Sequence, residues 1–225
     1  MEKMPYRYKL EPSVRTRATH SMVAEPGVLV SSDWRKALPL LTGKRVSLRE
    51  LRPSDATSLF SMLTTEEVSR FISPPPATIE GFERFIAWTH RMRDLGTYVC
   101  FAVTLNPSDV AIGIFQLREL ETGFQTAEWG FAIGSEYWGS GAFTEGAGLV
   151  LRFAFETLGV HRLEARASVR NGRGNGALRK IGAVQEGMLR RSFLRNGEYH
   201  DQVLWSILED DWCRTVGRPV SASVH

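Results

Sequence analysis

Residues 126–146 read TAEWGFAIGSEYWGSGAFTEG and place a strand, a glycine loop and a helix start in direct succession. The β-branched and aromatic residues of segment 126–133 predict a strand. Two glycines, Gly139 and Gly141, then precede segment 143–158, whose apolar residues recur at helical spacing. The sequence therefore predicts a β-loop-α unit with a glycine-rich loop at the N-terminus of its helix.

A glycine loop between a strand and a helix N-terminus is a common way to bind phosphate. At such a helix start, unpaired backbone N–H groups and the positive end of the helix dipole converge on one spot, here at residues 142–144. The spacing is neither the G-x-G-x-x-G of dinucleotide sites nor the G-x-x-x-x-G-K-S/T of ATPases, which argues against both classes. From the loop alone a second interpretation stays open, in which the glycines serve only a tight turn.

Downstream of the loop, the sequence predicts a strand at 163–169 and a short helix at 175–181. Asn196-Gly197 is strong β-hairpin chemistry, and it predicts a hairpin between segments 190–194 and 199–208.

Upstream, the predicted elements are a strand near 46–51 and helices that begin at Pro53 and at Thr78. Two strands follow at 98–105 and 110–117, joined by a turn. The order β-α-α-β-β-β-α-β-α-β-β predicts an α/β (α+β) fold with a mixed, mostly antiparallel central sheet.

Three regions are expected along the chain. Residues 1–40 show no sustained periodicity and carry four prolines, so they are predicted to be an N-terminal extension. The folded domain is expected at 41–214, followed by a C-terminal tail at 215–225. Within the extension, residues 1–21 are expected to be dispensable for folding, whereas Trp34, Leu38 and Leu40 are expected to pack on the domain.

The composition limits the class of protein. The chain has 225 residues, of which 43% are hydrophobic and 24% charged, which is typical of a soluble globular protein. No stretch approaches the ~18 consecutive apolar residues of a spanning helix, and the N-terminus lacks the apolar core of a signal peptide. A cytoplasmic protein is therefore expected. Cys100 and Cys213 show neither disulfide nor metal-site spacing, and Cys100 is expected to be a buried packing residue.

Positive charge is concentrated in two segments. Residues 1–40 hold seven Lys or Arg against four Asp or Glu and so account for the net charge of +3. Residues 161–195 hold nine Lys or Arg against two Glu. This basic segment could serve a polyphosphate ligand, a nucleic acid or solubility alone. Nucleic-acid binding is disfavoured because stacking aromatic residues do not alternate with these arginines.

Several short motifs occur in one order along the chain. They are LRELRPSDA at 48–56, EWGF at 128–131, YWGSG at 137–141, FAFETLGVHR at 153–162, and Asn171 eleven residues before Gly182. Through them, residues 41–212 resemble the GNAT superfamily of acyl-CoA N-acyltransferases, in particular its RimJ/RimL-like branch of ribosomal-protein N-terminal acetyltransferases. No single motif is diagnostic, but their combination is highly specific.

The resemblance implies that acetyl-CoA binds between two splayed parallel strands, without a metal ion. The residues that it assigns to this co-substrate are Phe131, Ala132, Ile133, Trp138, Gly139, Ser140, Gly141, Ala142, Phe143, Thr144 and Asn171. Two departures from the family pattern stand out. Phe143 occupies a position where such loops usually have Ala or Gly, and Gly174 stands where this branch often has a serine that could reprotonate the leaving thiolate.

The chemistry needs an aligned amine, a proton acceptor and an oxyanion stabiliser. Glu128 is the candidate catalytic base, and Asn171 is a second candidate that could fix the pantetheine or a water. Tyr199 and Asp201 are expected, with Glu128, to line the acceptor site. Each has a plainer alternative: Glu128 could be paired with an arginine, Asn171 could serve a turn, and Tyr199 and Asp201 could be structural.

The sequence thus predicts an N-acetyltransferase that transfers an acetyl group from acetyl-CoA to a primary amine, for instance a protein N-terminal amine. The alternatives are an acyltransferase for a small amine, such as an amino acid, polyamine or aminoglycoside, and a non-catalytic acyl-CoA-binding protein. The expected partners are acetyl-CoA and the amine acceptor, with a homodimer left open and neither nucleic acid nor a membrane involved.

Overall fold

The computed structural model describes residues 33–215, which contain eight strands and six α-helices. The strands are β1 (Leu41–Thr42), β2 (Val46–Glu50), β3 (Tyr98–Leu105), β4 (Ala111–Glu119), β5 (Thr126–Ile133), β6 (Arg162–Ser168), β7 (Val184–Arg195) and β8 (Glu198–Leu208). The helices are α1 (Ala56–Leu63), α2 (Glu66–Ser69), α3 (Ile79–Asp94), α4 (Ala142–Phe153), α5 (Gly172–Lys180) and α6 (Glu209–Thr215). The last turn of α4 continues as a π-helical segment, Ala154–Leu158.

The eight described strands form one sheet in the order β1-β2-β3-β4-β5-β6-β8-β7. Within it, β5 and β6 pair in parallel, and every other neighbouring pair is antiparallel. Helix α4 connects the two parallel strands, as such a pair requires. The predicted fold class, a mixed and mostly antiparallel sheet with flanking helices, is confirmed.

Two hydrophobic clusters cover the two faces of this sheet. Successive strand residues point to opposite faces, so Phe101 and Val103 join the cluster that contains α4 and α5. Cys100 and Ala102 join the second cluster, which contains α1 and α3. The same alternation places Trp129 on the α4 face of the sheet and Ala132 on the α1–α3 face. The middle of the sheet is therefore sandwiched between two helical layers.

Several boundaries differ from those predicted. Helix α5 begins at Gly172 because the Asn171 side chain caps it, and β7 begins at Val184 rather than near residue 190. Strand β7 is irregular, with register shifts at 185–187 and 189–193. They interrupt the alternation of its side chains, so the sequence shows no strand periodicity there. The short helices α2 and α6 were not predicted.

Part of the predicted N-terminal extension belongs to the core. Trp34 and Leu38 are buried, and the Trp34 ring meets Phe124 edge-on at a centroid distance of 5.7 Å. The expectation that Leu40 packs on the domain is wrong, since Leu40 is 65% exposed. The proposed boundaries at 1–40, 41–214 and 215–225 stay predictions. The expectation for residues 1–21 lies outside the described residues.

Within residues 33–215, no helix combines the length and the apolar composition that crossing a bilayer requires.

Candidate active site

The parallel strands β5 and β6 separate partway along their length. Their paired residues run from Thr126–Arg162 to Glu128–Glu164, and no further pairs between them follow among the described residues. Beyond this point β5 continues through Phe131 and Ala132 to Ile133, while β6 stays paired only with β8. The β6-facing backbone groups of this part of β5 are therefore open to a ligand in an extended conformation.

The glycine loop at the end of β5 presents backbone donors. Gly139 and Gly141 have φ angles of +78° and +90°, which favour glycine, and Gly141 is the N-cap of α4. The Ala142 N–H donates to Ser140 Oγ at 3.3 Å. In the part of the chain that the structure describes, the N–H groups of Gly139, Gly141, Phe143 and Thr144 have no acceptor. Four free donors at a helix N-terminus make a binding site for an anionic group.

Two aromatic residues brace this loop. The Trp138 indole N–H donates to the Ile133 carbonyl oxygen at 2.9 Å and so ties the loop to the end of β5. The Phe143 ring packs on Phe131 and Phe115, with centroid distances of 4.5 and 6.0 Å. The unusual residue at position 143 thus turns its ring into the core, which leaves its N–H free to donate.

Two arginines that the sequence analysis did not assign flank the loop. Arg173, in the first turn of α5, places its guanidinium 4.4 Å from the centroid of the Trp138 ring. Arg45 Nη1 donates to the Ser140 carbonyl oxygen at 3.4 Å, and a cavity of about 230 Å³ lies between Arg45, Ser140 and Ala142. The loop therefore carries positive charge on two sides, which complements a pyrophosphate.

Glu128 lies at the point where the two strands separate. Its side chain is 16% exposed, and it forms ion pairs with Arg118 and, at 3.6 Å, with Arg166. Alternation along β5 places Glu128 on the sheet face opposite α4. The alternative weighed from the sequence, a carboxylate paired with arginine, is thus present.

The charges around Glu128 extend across the neighbouring strands. Glu164 accepts a hydrogen bond from Arg162 Nε at 2.9 Å, and Arg162 Nη1 donates to Glu186 at 2.8 Å. Ser206 Oγ also donates to Glu186, at 2.7 Å. The Arg162 and Ser206 hydrogen bonds lower the pKa of Glu186 from its ordinary 4.5 to about 2.

We expect replacement of Glu186 by glutamine to reduce the melting temperature near pH 6 and to have a clearly smaller effect near pH 3. The pKa of Glu186 is lower in the folded than in the unfolded state, so its ion pair stabilises fully above about pH 4.5 and less as the pH falls toward 2. Melting curves of wild type and Glu186→Gln across this range measure the effect. Glu198→Gln is the matched control because that carboxylate is 72% exposed. An equal loss at both pH values would contradict the prediction.

Asn171 has a structural role in the described geometry. Its Oδ1 accepts a hydrogen bond from the Gly174 N–H at 2.8 Å and caps α5. A Cβ at position 174 would lie 2.4 Å from Asn171 Nδ2, so a serine at 174 requires the Asn171 amide to shift. Asn175, which the sequence analysis did not single out, joins three elements near Asn171. Its Nδ2 donates to the Ser168 carbonyl oxygen at 2.9 Å, and its Oδ1 accepts from the Trp205 indole N–H at 2.9 Å.

Tyr199 and Asp201 lie together at the end of the β7–β8 hairpin. They line an open cavity of about 720 Å³, to which Arg170, Arg190 and Arg191 also contribute. Tyr199 is 60% exposed, and Asp201 Oδ1 accepts a hydrogen bond from the Arg191 N–H at 2.7 Å. Their role in acceptor binding stays a prediction.

Cys100 is a packing residue, as expected. It is 3% exposed, and burial raises its pKa well above the usual value, which disfavours the thiolate. Within the described residues, no group of His, Cys, Asp and Glu side chains is arranged to hold a metal ion.

The chain is similar to known proteins in sequence and in fold. Residues 45–184 match the acetyltransferase (GNAT) domain. The uncharacterized N-acetyltransferase YoaA of Bacillus subtilis is 26% identical over 76% of this chain and 97% of its own length. The [ribosomal protein uS5]-alanine N-acetyltransferase of Escherichia coli is 29% identical over 48% of this chain and 55% of its own length.

Solved structures show the same fold. Mycobacterium smegmatis RimJ in complex with CoA-disulfide superposes with a TM-score of 0.67 at 18% identity, covering 77% of this chain and 90% of that one. The structure has an open β5 edge and free N–H groups at the start of α4, and the family model matches more than half of the sequence. The chain therefore belongs to the GNAT family of acyl-CoA-dependent acetyltransferases.

Proposed function

We propose that this protein transfers the acetyl group of acetyl-CoA to a primary amine, and that the amine is a protein N-terminus. The observation that carries the proposal is the position of Glu128, where β5 and β6 separate and on the face opposite the loop helix α4. A proton acceptor at this point can serve an amine that approaches from one side of the sheet. The name of the uS5-alanine relative supports a protein N-terminus as acceptor.

The N–H groups of Gly139, Gly141, Phe143 and Thr144 would bind the pyrophosphate of acetyl-CoA, and Arg45 and Arg173 would add positive charge beside it. The open edge of β5 at residues 129–133 would hold the pantetheine by backbone hydrogen bonds and so fix the thioester. Acetyl-CoA supplies an activated acyl carbon with a thiolate leaving group.

Glu128 would take up the proton that the acceptor loses. The amine nitrogen forms a bond to the acyl carbon, the carbon–sulfur bond breaks, and the thiolate leaves with its electron pair. Before the attack, one proton of the acceptor ammonium goes to Glu128 directly or through water, which frees the nitrogen lone pair. The nitrogen loses a second proton as the amide forms, and this proton neutralises the thiolate. Arg118 and Arg166 hold the carboxylate in place at the end of the paired segment.

We expect Glu128→Gln to lower kcat/KM by about 10- to 100-fold at neutral pH and by much less at alkaline pH. The physical reason is that the acceptor amine deprotonates unaided above its own pKa, which for an α-amino group is about 8. Thiol release from acetyl-CoA against a panel of peptides and small amines, measured at about pH 7 and pH 9.5, tests this and also identifies the acceptor class.

Glu164→Gln is the matched control for this experiment. Glu164 lies beside Glu128 in the sheet register and has the same 16% side-chain exposure, but β6 rather than β5 carries it. We expect this variant to stay within about threefold of wild type, because Glu164 does not lie on the strand whose open edge would hold the thioester. Wild-type activity of Glu128→Gln at neutral pH would remove Glu128 from the mechanism.

A further inference from the structure

We infer that the acceptor amine carries an anionic group, a carboxylate or a phosphate, which binds the cavity at the β7–β8 hairpin. The inference rests on the proposed function and narrows its substrate class. The cavity measures about 720 Å³, and its lining includes Arg170, Arg190 and Arg191 and one carboxylate, that of Asp201. A second carboxylate, that of Glu198, lies 3.9 Å from Arg170 and 3.7 Å from His200. The chemistry of the cavity is therefore that of an anion-binding site.

The arginine side chains of this cavity are available to a ligand. Within residues 33–215, the guanidinium groups of Arg190 and Arg191 have no hydrogen-bond acceptor and no ion-pair partner. Arg170 contacts Glu198 only at 3.9 Å, and both side chains are about 70% exposed, at 69% and 72%. Such an exposed pair contributes little and can be exchanged for a ligand. Arg162, by contrast, is fully engaged by Glu164 and Glu186.

The backbone holds the arginines in this position at a cost. Residues 190–192 form a bulge in β7, and Arg191 adopts a φ of +50°, which residues other than glycine rarely adopt. The Arg191 N–H donates to Asp201 Oδ1 at 2.7 Å, and Ser192 Oγ lies 3.0 Å from Gln202 Oε1. A left-handed conformation at an arginine, fixed by side chains of the partner strand, is typical of a functional site.

The cavity adjoins the carboxyl end of β6, one of the two strands of the candidate active site. Val169 and Arg170 directly follow β6, and Asn171 comes next in the chain. The Val169 N–H donates to the Asp201 carbonyl oxygen at 3.0 Å, which holds this corner against the hairpin. An acceptor bound at the opening between β5 and β6 can thus extend an acidic group toward the arginines. A polycationic amine would instead be repelled there.

The experiment compares acetylation of C-terminally amidated peptides that differ only in Glu or Gln at one position near the N-terminus. We expect wild type to prefer the acidic peptide by about tenfold at its best position. Arg190→Gln and Arg191→Gly are expected to abolish this preference while keeping acetylation of the neutral peptide. Glycine suits the φ of +50° at position 191, so this variant removes the charge without straining the fold.

Arg152→Gln is the matched control, since Arg152 is 64% exposed on α4 and outside the cavity. It should retain the preference for the acidic peptide. Equal rates with every Glu and Gln pair in wild type would overturn the inference. If no amine is acetylated although acetyl-CoA binds, the proposed function fails. The inference is then tested by calorimetric binding of the same peptides to the CoA-loaded protein. Binding without a preference for the Glu peptide overturns the inference.

A further measurement tests whether the anion that binds the cavity belongs to the acceptor or to the coenzyme. Affinities for CoA and dephospho-CoA are measured in wild type, Arg190→Gln and Arg191→Gly. We expect both ligands to bind the variants within about twofold of wild type. Loss of the difference between CoA and dephospho-CoA in the variants would assign the cavity to the 3′-phosphate of the coenzyme and overturn the inference.

Discussion

Replacement of Gly141 by valine is expected to abolish the thermal stabilisation of the protein by acetyl-CoA. Gly141 caps α4 with a φ of +90°, a conformation that a β-branched residue cannot hold without strain. When the loop changes its backbone angles, the free N–H groups of Gly139 and Phe143 no longer converge on one anion. At ~100 times the dissociation constant, a ligand stabilises by ~2.7 kcal/mol, which is a shift of about 5 to 10 °C for a chain of this size.

The measurement is a melting curve with and without acetyl-CoA. Gly148→Val is the matched control, because Gly148 lies within α4, and a Cβ there would meet nothing within 4 Å. We expect the control to keep most of the shift, and Gly141→Val to keep less than about a fifth of it. Full stabilisation of Gly141→Val by acetyl-CoA would contradict the assignment of the loop.

Asp55→Ala is expected to lower the stability by about 3 kcal/mol, or the melting temperature by about 6 to 12 °C. Asp55 and Arg49 are 4% and 6% exposed and form two parallel hydrogen bonds of 2.8 Å each. Asp55 Oδ2 also accepts the Arg52 N–H at 2.8 Å, so the substitution removes a bond at the start of α1 as well. A buried guanidinium left with fewer partners is costly.

Asp109→Ala is the matched control, because Asp109 pairs with the same arginine but is 60% exposed. Its Oδ1 lies 2.5 Å from Arg49 Nε, and it also contacts Arg52. Exposed ion pairs contribute less than about 1 kcal/mol, so this variant should lose much less stability. Similar losses in the two variants, measured by urea unfolding, would show that burial of the pair does not set its contribution.

The elements that could be predicted from the sequence are those whose signals are local. The loop from Trp138 to Gly141 and the helix after it follow from glycine placement and helical periodicity, and the hairpin follows from Asn196-Gly197. These signals do not depend on the rest of the chain. They suffice to place the strand, the loop and the helix start of the candidate site.

The partners of the site residues could not be predicted, because they come from distant positions. Glu128 meets Arg118 across the β4–β5 register and Arg166 from β6, and neither spacing is visible before the strands are paired. Arg45 reaches Ser140 over 95 positions of sequence. The bulge that positions Arg191 breaks the strand pattern, so periodicity cannot locate it.

The cap on α5 makes positions 171 and 174 epistatic. Any side chain at 174 would place its Cβ 2.4 Å from Asn171 Nδ2, so the Asn171 amide must shift and strain a cap that contributes about 1 kcal/mol. A serine introduced at 174 therefore arrives together with a rearranged Asn171. The cost of a side chain at 174 therefore depends on which residue stands at 171.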